Sequence, residues 1–239
     1  MASREPPGPL IGAGRSADVY ALSQGRVLRR FRTPHDVRAE AEIMRYLAKA
    51  GFPVPAVHDA DGPDLVMDRL DGRDMLSELS RRPWLAARHG RTLAQLHNRL
   101  HEITAPAGLR QALGPGDRVL HLDLHPGNVM LTSRGPVVID WTNASAGPAG
   151  ADVATAYLIM ASSDTDLLPL WLRPAVATLR AILLRHFRAR VRDDPAPYLA
   201  RAARERMRDR NVRPAEAARL LRVAEQAERS AGAEPTGAS

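Results

Sequence analysis

The chain has 239 residues, a net charge of +7 and a hydrophobic fraction of 44%, which excludes a disordered polyelectrolyte and admits one sizeable core or two small lobes sharing one site. No cysteine is present, which excludes a disulfide framework and a thiolate zinc site. The basic side is almost all arginine, with Lys49 the single lysine. These arginines alternate with Glu and Asp and show no aromatic interleaving, so they read as solvated helix faces rather than as a nucleic-acid stripe. The N-terminal stretch "MASREPPGPL" has no apolar run behind a basic start, so no signal peptide is expected. The longest uncharged apolar stretch, around Val153 to Met160, is too short to span a bilayer. A cytoplasmic protein is expected.

In chain order, "LIGAGRSADVYAL" (10–22) reads as a strand, a Gly-rich turn and a second strand, and "GRVLRRF" (25–31) as a third. Residues 33–51 read as a helix, with Val37, Ala41, Met44 and Leu47 or Ala48 at helical spacing and Gly51 as the stop. Residues 52–72 hold two short strands around an Asp-Gly turn. A helix is expected over 84–103, with Leu93, Leu96, Leu100 and Ile103 on one face. "GPVVIDW" (135–141) makes a hairpin with "NVML". Beyond Gly150 the pattern is helical, over 151–162, 166–191, 196–209 and 214–229, and the last ten residues are small and polar. No internal repeat is found. The boundary near Gly72 predicts a small N-terminal sheet lobe, 1–70, and a larger helical lobe, 71–239.

The stretch "VLHLDLHPGNVML" (119–131) sets two His, an Asp and an Asn between apolar runs, with Pro126 and Gly127 bending the chain. Asp123 and Asn128 lie five apart, and Asp140 ends the next hairpin strand. Two carboxylates and an amide oxygen are hard ligands that suit Mg²⁺, which keeps several waters and binds phosphates. The Gly-rich turn in "IGAGRSADVY" can lay backbone N–H groups over phosphates; with the Asp/Asn/Asp set it points to phosphoryl transfer.

This pattern, "HLDLHPGNVML" followed seventeen residues after Asp123 by "IDW", resembles the aminoglycoside phosphotransferase family of small-molecule kinases. The likeness extends over roughly residues 10–160. It implies an α+β, protein-kinase-like two-lobe fold using ATP or GTP with Mg²⁺. By resemblance, Asp123 is the catalytic carboxylate, and Asn128 and Asp140 hold the metal. Gly12, Gly14 and Ser16 lie in the phosphate-covering loop, and Glu40 is the helix Glu that pairs with the strand cation. Met67 backs the adenine pocket, and the backbone of Asp68 and Leu70 meets the adenine edge. Asp152 buttresses the catalytic loop, with His121 structural. Protein kinases have Arg after the His, and D-F-G at the second Asp; here Leu122 and I-D-W stand instead. The loop ends in Ala17 rather than a third Gly, and the strand cation is Arg29 or Arg30 rather than Lys. Arg29 is preferred because V-L-R overlays the frame of V-A-I-K; Arg clamps phosphate bidentately but does not replace Lys freely.

The other histidines and Trp141 have ordinary readings. His97 and His101 lie four apart without a Glu in an H-E-x-x-H frame and read as plain helix polar positions. His125 reads as a surface residue and Trp141 as core packing. The acceptor site should come from the C-terminal helices and the loop after Trp141. Residues 151–239 carry fifteen Arg against eleven acids, with Asp164, Asp166, Asp193 and Asp194 in two pairs that could form an acidic mouth. The balance favours a neutral or weakly charged hydroxyl acceptor, such as a macrolide, nucleoside, peptide antibiotic or sugar-like metabolite, over a polycation. A small-molecule O-kinase is the leading expectation. A nucleotide-binding relative without transfer activity is the second, and a basic nucleic-acid-binding protein the third. No nucleic-acid or membrane partner is expected, and the sequence is silent on oligomeric state.

Overall fold

The computed structural model describes residues 7–14, 16–163, 168–208, 212 and 214–232. Its strands and helices fall into two compact units, 1–74 with 128–144, and 75–127 with 145–239.

The first unit begins with β1 (Leu10–Ala13), β2 (Ala17–Ala21) and β3 (Arg26–Phe31), continues through helix α1 (Arg38–Lys49), and closes with β4 (Val57–Asp61) and β5 (Asp64–Asp68). The five strands form one antiparallel sheet in the order β1-β2-β3-β5-β4. On α1 the apolar residues recur at helical spacing and bury one face through Ala41, Ile43, Met44 and Leu47. Buried Val27, Leu28, Phe31 and Leu65 supply the sheet's share of the core.

Next comes β6 (Arg73–Asp74). It borders the hairpin of two later strands, Val129–Thr132 and Gly135–Val138, in a three-stranded sheet. Gly72 precedes it with φ +93, and a Cβ there would lie 2.0 Å from the Leu131 carbonyl oxygen, so only glycine serves. The hairpin belongs with the first unit for a physical reason. Val138 N–H donates to Pro53 O at 2.9 Å, and the buried Trp141 ring meets Phe52 edge-on. The expected division at 70/71 therefore differs from the observed grouping, which extends to Asp74 and takes in 128–144. A hairpin remote in sequence reveals its unit only through such pairing.

The second unit comprises α2 (Met75–Arg81), a 3₁₀ turn at Pro83–Leu85, α3 (Ala86–Leu100), β7 (Arg118–Leu120) and, after the hairpin strands β8 (Val129–Thr132) and β9 (Gly135–Val138) of the first unit, β10 (Ser145–Gly147), which pairs antiparallel with β7. Then follow α4 (Ala149–Ser162), α5 (Arg173–Arg188), α6 (Leu199–Met207) and α7 (Pro214–Gly232). Prolines split the longer expected helices: 3₁₀ turns at Leu170–Leu172, after Pro169, and at Ala196–Tyr198, after Pro195, precede α5 and α6. The start expected at 166 and the residues Asp164 and Asp166 lie outside the described residues. Helix α4 is the axis of this unit. It is apolar all round, and Ala151, Ala154 and Leu158 pack with Ala202, Ala203, Leu220 and Ala224 of α6 and α7. Among the described residues no helix is long and apolar enough to cross a membrane.

Close approach at the start of α4 depends on Gly150, where a Cβ would stand 2.3 Å from the Asp194 carbonyl oxygen and 2.8 Å from the Tyr198 ring. Gly150→Ala should therefore lower stability by about 1 to 3 kcal/mol, the usual cost of overpacking, read as a lower urea midpoint at unchanged m-value.

Candidate active site

In the first unit, Arg29 and Glu40 come together. Strand β3 sends alternate side chains to opposite faces. Arg29 is buried and pairs with Glu40 of α1, while the Arg30 side chain is 43% exposed and forks onto Asp64 with two 2.7 Å bonds. Of the two cations in "VLRRF", Arg29 is therefore the one that faces the helix Glu. Arg29 also stands 3.4 Å from Asp140 Oδ1 and 4.8 Å from the centre of the Phe31 ring.

Glu40 has a second task. Its Oε1 accepts the Trp141 N–H at 3.0 Å. That bond secures the chain just after Asp140, whose φ of 65 lies in the left-handed region a non-glycine residue adopts only under constraint. Thr142 donates its hydroxyl to Asp140 Oδ1 at 2.8 Å. Both of these Asp140 contacts fall on Oδ1. Oδ2 has no hydrogen bond among the described residues, and the side chain is 47% exposed. Asn128 closes the same end of the hairpin, since its carbonyl accepts the Ile139 N–H at 3.0 Å. This puts an amide and an outward carboxylate oxygen on one hairpin end, a donor set that fits Mg²⁺ with water and phosphate completing its shell. No group of three or more His, Asp or Glu able to hold a metal occurs among the described residues.

The remaining first-unit residues lie in the sheet. Gly12 is registered opposite Val19 and Val19 opposite Arg29, so the Gly-rich strand and the buried cation share one row. Gly14 N–H turns the hairpin onto Ala17 O at 2.8 Å, and Ser16 O accepts from Arg32 N–H at 2.9 Å. Met67 is half-buried on β5. The Asp68 N–H is committed to Ala56 O and its carboxylate to His58 Nε2 at 2.7 Å. Leu70 follows outside any strand.

In the second unit, Asp152 sits in the first turn of α4, fully buried, and its Oδ1 accepts the Leu122 N–H at 2.6 Å. Leu122 again has a left-handed φ, 61. The next residue is Asp123, whose own N–H donates to His121 Nδ1 at 3.2 Å. Asp123 Oδ1 lies 3.8 Å from His125 Nε2, and His125 Nδ1 accepts the Gly127 N–H at 3.0 Å. His121, Asp123 and Asp152 thus gather on one short segment, and His125 braces the turn after it.

Sequence reasoning missed the partner of Asp152. His101, read as a plain helix position, is buried and bridges Asp152 Oδ2 at 3.0 Å and Asp193 Oδ2 at 2.9 Å. Burial by itself would push its imidazolium down, but the two carboxylates outweigh that and raise it from the ordinary 6.5 to about 9. Burial likewise works against ionised Asp152, yet the hydrogen bond and charge of His101 hold it well below the usual carboxylate range. His97, also fully buried, is pushed down to about 4 by desolvation, and its Nδ1 bonds the Leu93 carbonyl at 3.0 Å. The missed signal was the four-residue spacing of His97 and His101 among the inward Leu93, Leu96 and Leu100. Thr142, two residues after Asp140, and Arg206, remote in sequence, were also unassigned; Arg206 Nη1 lies 3.8 Å from Asp123 Oδ1.

A profile of the phosphotransferase enzyme family matches residues 8–118 and 105–182. No curated protein sequence matches the chain. Among solved structures, a thermostable mutant of aminoglycoside phosphotransferase APH(4)-Ia is similar at TM-score 0.60 and 15% identity, over 95% of this chain and 95% of that one. A choline/ethanolamine kinase family protein from Mesorhizobium loti is similar at TM-score 0.55 and 17% identity, over 99% and 84%. An amicoumacin kinase in complex with AMP-PNP, Ca²⁺ and Ami is similar at TM-score 0.50 and 16% identity, over 91% and 87%. The fold is the α+β, protein-kinase-like one, an antiparallel-sheet unit and a mainly helical unit.

Two measurements probe these pairs. Glu40→Ala strands a buried guanidinium and releases Trp141, so it should cost about 3 to 5 kcal/mol in urea unfolding. The His101 contribution to stability is complete below pH 6.5 and is lost as pH rises through about 9. The urea midpoint should therefore fall between those values, and the fall should flatten in His101→Gln.

Proposed function

This chain belongs to the phosphotransferase enzyme family, and we propose that it transfers the γ-phosphate of ATP or GTP to a hydroxyl of a small molecule. The observation that carries this reading is the grip of buried Asp152 on the Leu122 N–H, directly before Asp123. A carboxylate whose backbone is secured in that way suits a reaction in which the protein contributes mainly positioning and electrostatics.

In this reading Asp123 orients the acceptor O–H and takes its proton as the oxygen bonds to the γ-phosphorus. The bond from phosphorus to the β–γ bridging oxygen breaks, and nucleoside diphosphate leaves. Asn128 and Asp140 would hold Mg²⁺, which when bound neutralises phosphate charge. Arg29, oriented by Glu40, directs positive charge toward the nucleotide phosphates. The turn from Gly12 through Gly14 to Ser16 offers its backbone to the same phosphates. A Cβ at Gly12 would meet only Val19 side-chain atoms, at 3.7 and 3.9 Å, so the fold itself tolerates a side chain there. The hinge segment Met67, Asp68 and Leu70 would meet the base, with the Asp68 N–H already committed to Ala56. The AMP-PNP and Ca²⁺ bound by the amicoumacin kinase support nucleotide and divalent-metal use. An antibiotic is one candidate acceptor.

A second reading, nucleotide binding without transfer, is favoured by one observation: the buried cation opposite Glu40 is Arg29, not Lys. One experiment separates the two. Purified protein is titrated with ATP and GTP, with and without Mg²⁺, and then assayed for phosphoryl transfer to a panel of hydroxyl compounds. Asp123→Asn should bind nucleotide nearly as wild type yet lose turnover by at least about a hundredfold. Asp140→Ala should lose the enhancement of nucleotide binding by Mg²⁺. Metal-enhanced binding with no transfer to any acceptor would establish the second reading.

A further inference from the structure

We propose that His101 is a positioning residue for phosphoryl transfer: held between Asp193 and Asp152, it locks the segment that aims Asp123, so that turnover requires its imidazolium form. The role rests on the reading of Asp123 as the carboxylate that takes the acceptor's proton.

The contacts form one continuous chain inside the second unit. Asp193, in the connection between α5 and α6, places Oδ2 2.9 Å from His101 Nδ1. On the other edge of the ring, His101 Nε2 lies 3.0 Å from Asp152 Oδ2. Asp152 then uses Oδ1 to accept the Leu122 N–H at 2.6 Å, and Asp123 follows. The His101 and Asp152 side chains are buried, whereas that of Asp193 is 33% exposed. The chain therefore runs from near the surface to the left-handed turn at Leu122. An ionised carboxylate only accepts, and a neutral imidazole carries a single N–H. Both ring nitrogens can donate only in the imidazolium. A neutral ring would leave one carboxylate against a nitrogen lone pair. Two carboxylates on one ring fix its rotation, and the ring in turn fixes Asp152.

The surroundings keep the positive charge on His101. His97, one helical turn earlier, directs Nδ1 to the Leu93 carbonyl, so Nδ1 carries its proton. Its buried Nε2 has no hydrogen bond among the described residues. The two histidine rings meet edge-on with centroids 5.8 Å apart, and desolvation keeps His97 neutral beside the charged ring. His121, before Asp123, acts on Asp152, and Arg118 of β7 acts on Asp193; both favour the ionised carboxylates. The connection that carries Asp193 is itself anchored to α3. Asn98 donates to the Arg190 carbonyl at 2.9 Å and accepts the Arg192 N–H at 3.0 Å. Asp193 is thereby held on α3 and Asp152 on α4, and His101 ties both to the segment before Asp123. Its imidazolium is present at neutral pH and is lost as pH rises through about 9.

The test follows kcat against pH for the full chain, as ADP release from Mg·ATP with the hydroxyl compound of the panel that stimulates it most. In wild type, kcat should fall as pH rises through about 9. Asp193→Asn keeps an acceptor for Nδ1 but removes one of the two negative charges, so the alkaline fall should move to lower pH by about one pH unit. His101→Gln can donate to one carboxylate only. Its kcat at pH 7 should drop at least about tenfold, with the KM for ATP changed by less than about twofold. Hydrogen exchange at the Leu122 amide should quicken at least about tenfold in the same variant, relative to the intrinsic rate. Circular dichroism matching wild type shows that the variants are folded; if His101→Gln is not, the shift in Asp193→Asn decides alone. Wild-type kcat in a folded His101→Gln, or an alkaline fall that Asp193→Asn leaves in place, overturns the proposal. Failure of the kinase reading has a different signature, and removes the role in turnover with it: no acceptor stimulates ADP release, or Asp123→Asn leaves it intact, while the Leu122 amide still loses protection in His101→Gln.

Discussion

A buried carboxylate that grips one backbone N–H beside a left-handed residue is the interaction on which each half of this structure depends. In the first unit Glu40 holds Trp141 N–H, next to Asp140. In the second Asp152 holds Leu122 N–H, next to Asp123. A non-glycine residue at positive φ costs on the order of 1 to 3 kcal/mol, so the surrounding structure must impose it. Both strained positions occur where a carboxylate with a proposed chemical role has to be aimed, and in both the grip comes from a helix, which is stiffer than a loop.

Each gripping carboxylate brings a cation with it, because an ion buried alone would cost more than the bond returns. Arg29 serves Glu40, and His101 serves Asp152. The two cations differ in consequence. Arginine stays charged at any pH a protein meets. Histidine is charged here because two carboxylates flank it, and that links the second grip to pH. The departure from Lys in β3 fits this arrangement: a planar guanidinium can bond Glu40 and still present an edge toward Asp140.

Charge also separates the roles of the acids. Those with a buried partner, Glu40, Asp152 and Asp193, maintain geometry, whereas Asp140 keeps one carboxylate oxygen unbonded among the described residues. Composition alone treats all of these as equivalent negative charges. Only their partners show which are committed to the fold.

The sequence by itself determined much of this. Helical spacing located α1 and α3, period-two runs located β2, β3 and the β8–β9 hairpin, and the short motifs around Asp123 and Asp140 pointed to the family. These features are local, so periodicity and spacing record them. The alternation of a strand even settled that Arg29 and Arg30 face opposite ways. What only the tertiary structure decided is non-local. Asp193 reaches His101 across 92 positions, the 128–144 hairpin joins the N-terminal sheet unit through Pro53 and Phe52, and Arg206 arrives beside Asp123 on a helix more than eighty residues later. No spacing rule encodes such meetings, because each depends on how helices pack once their apolar faces are buried: desolvation keeps His97 of α3 neutral, while the carboxylates of Asp152 and Asp193 keep His101, just past the end of α3, charged.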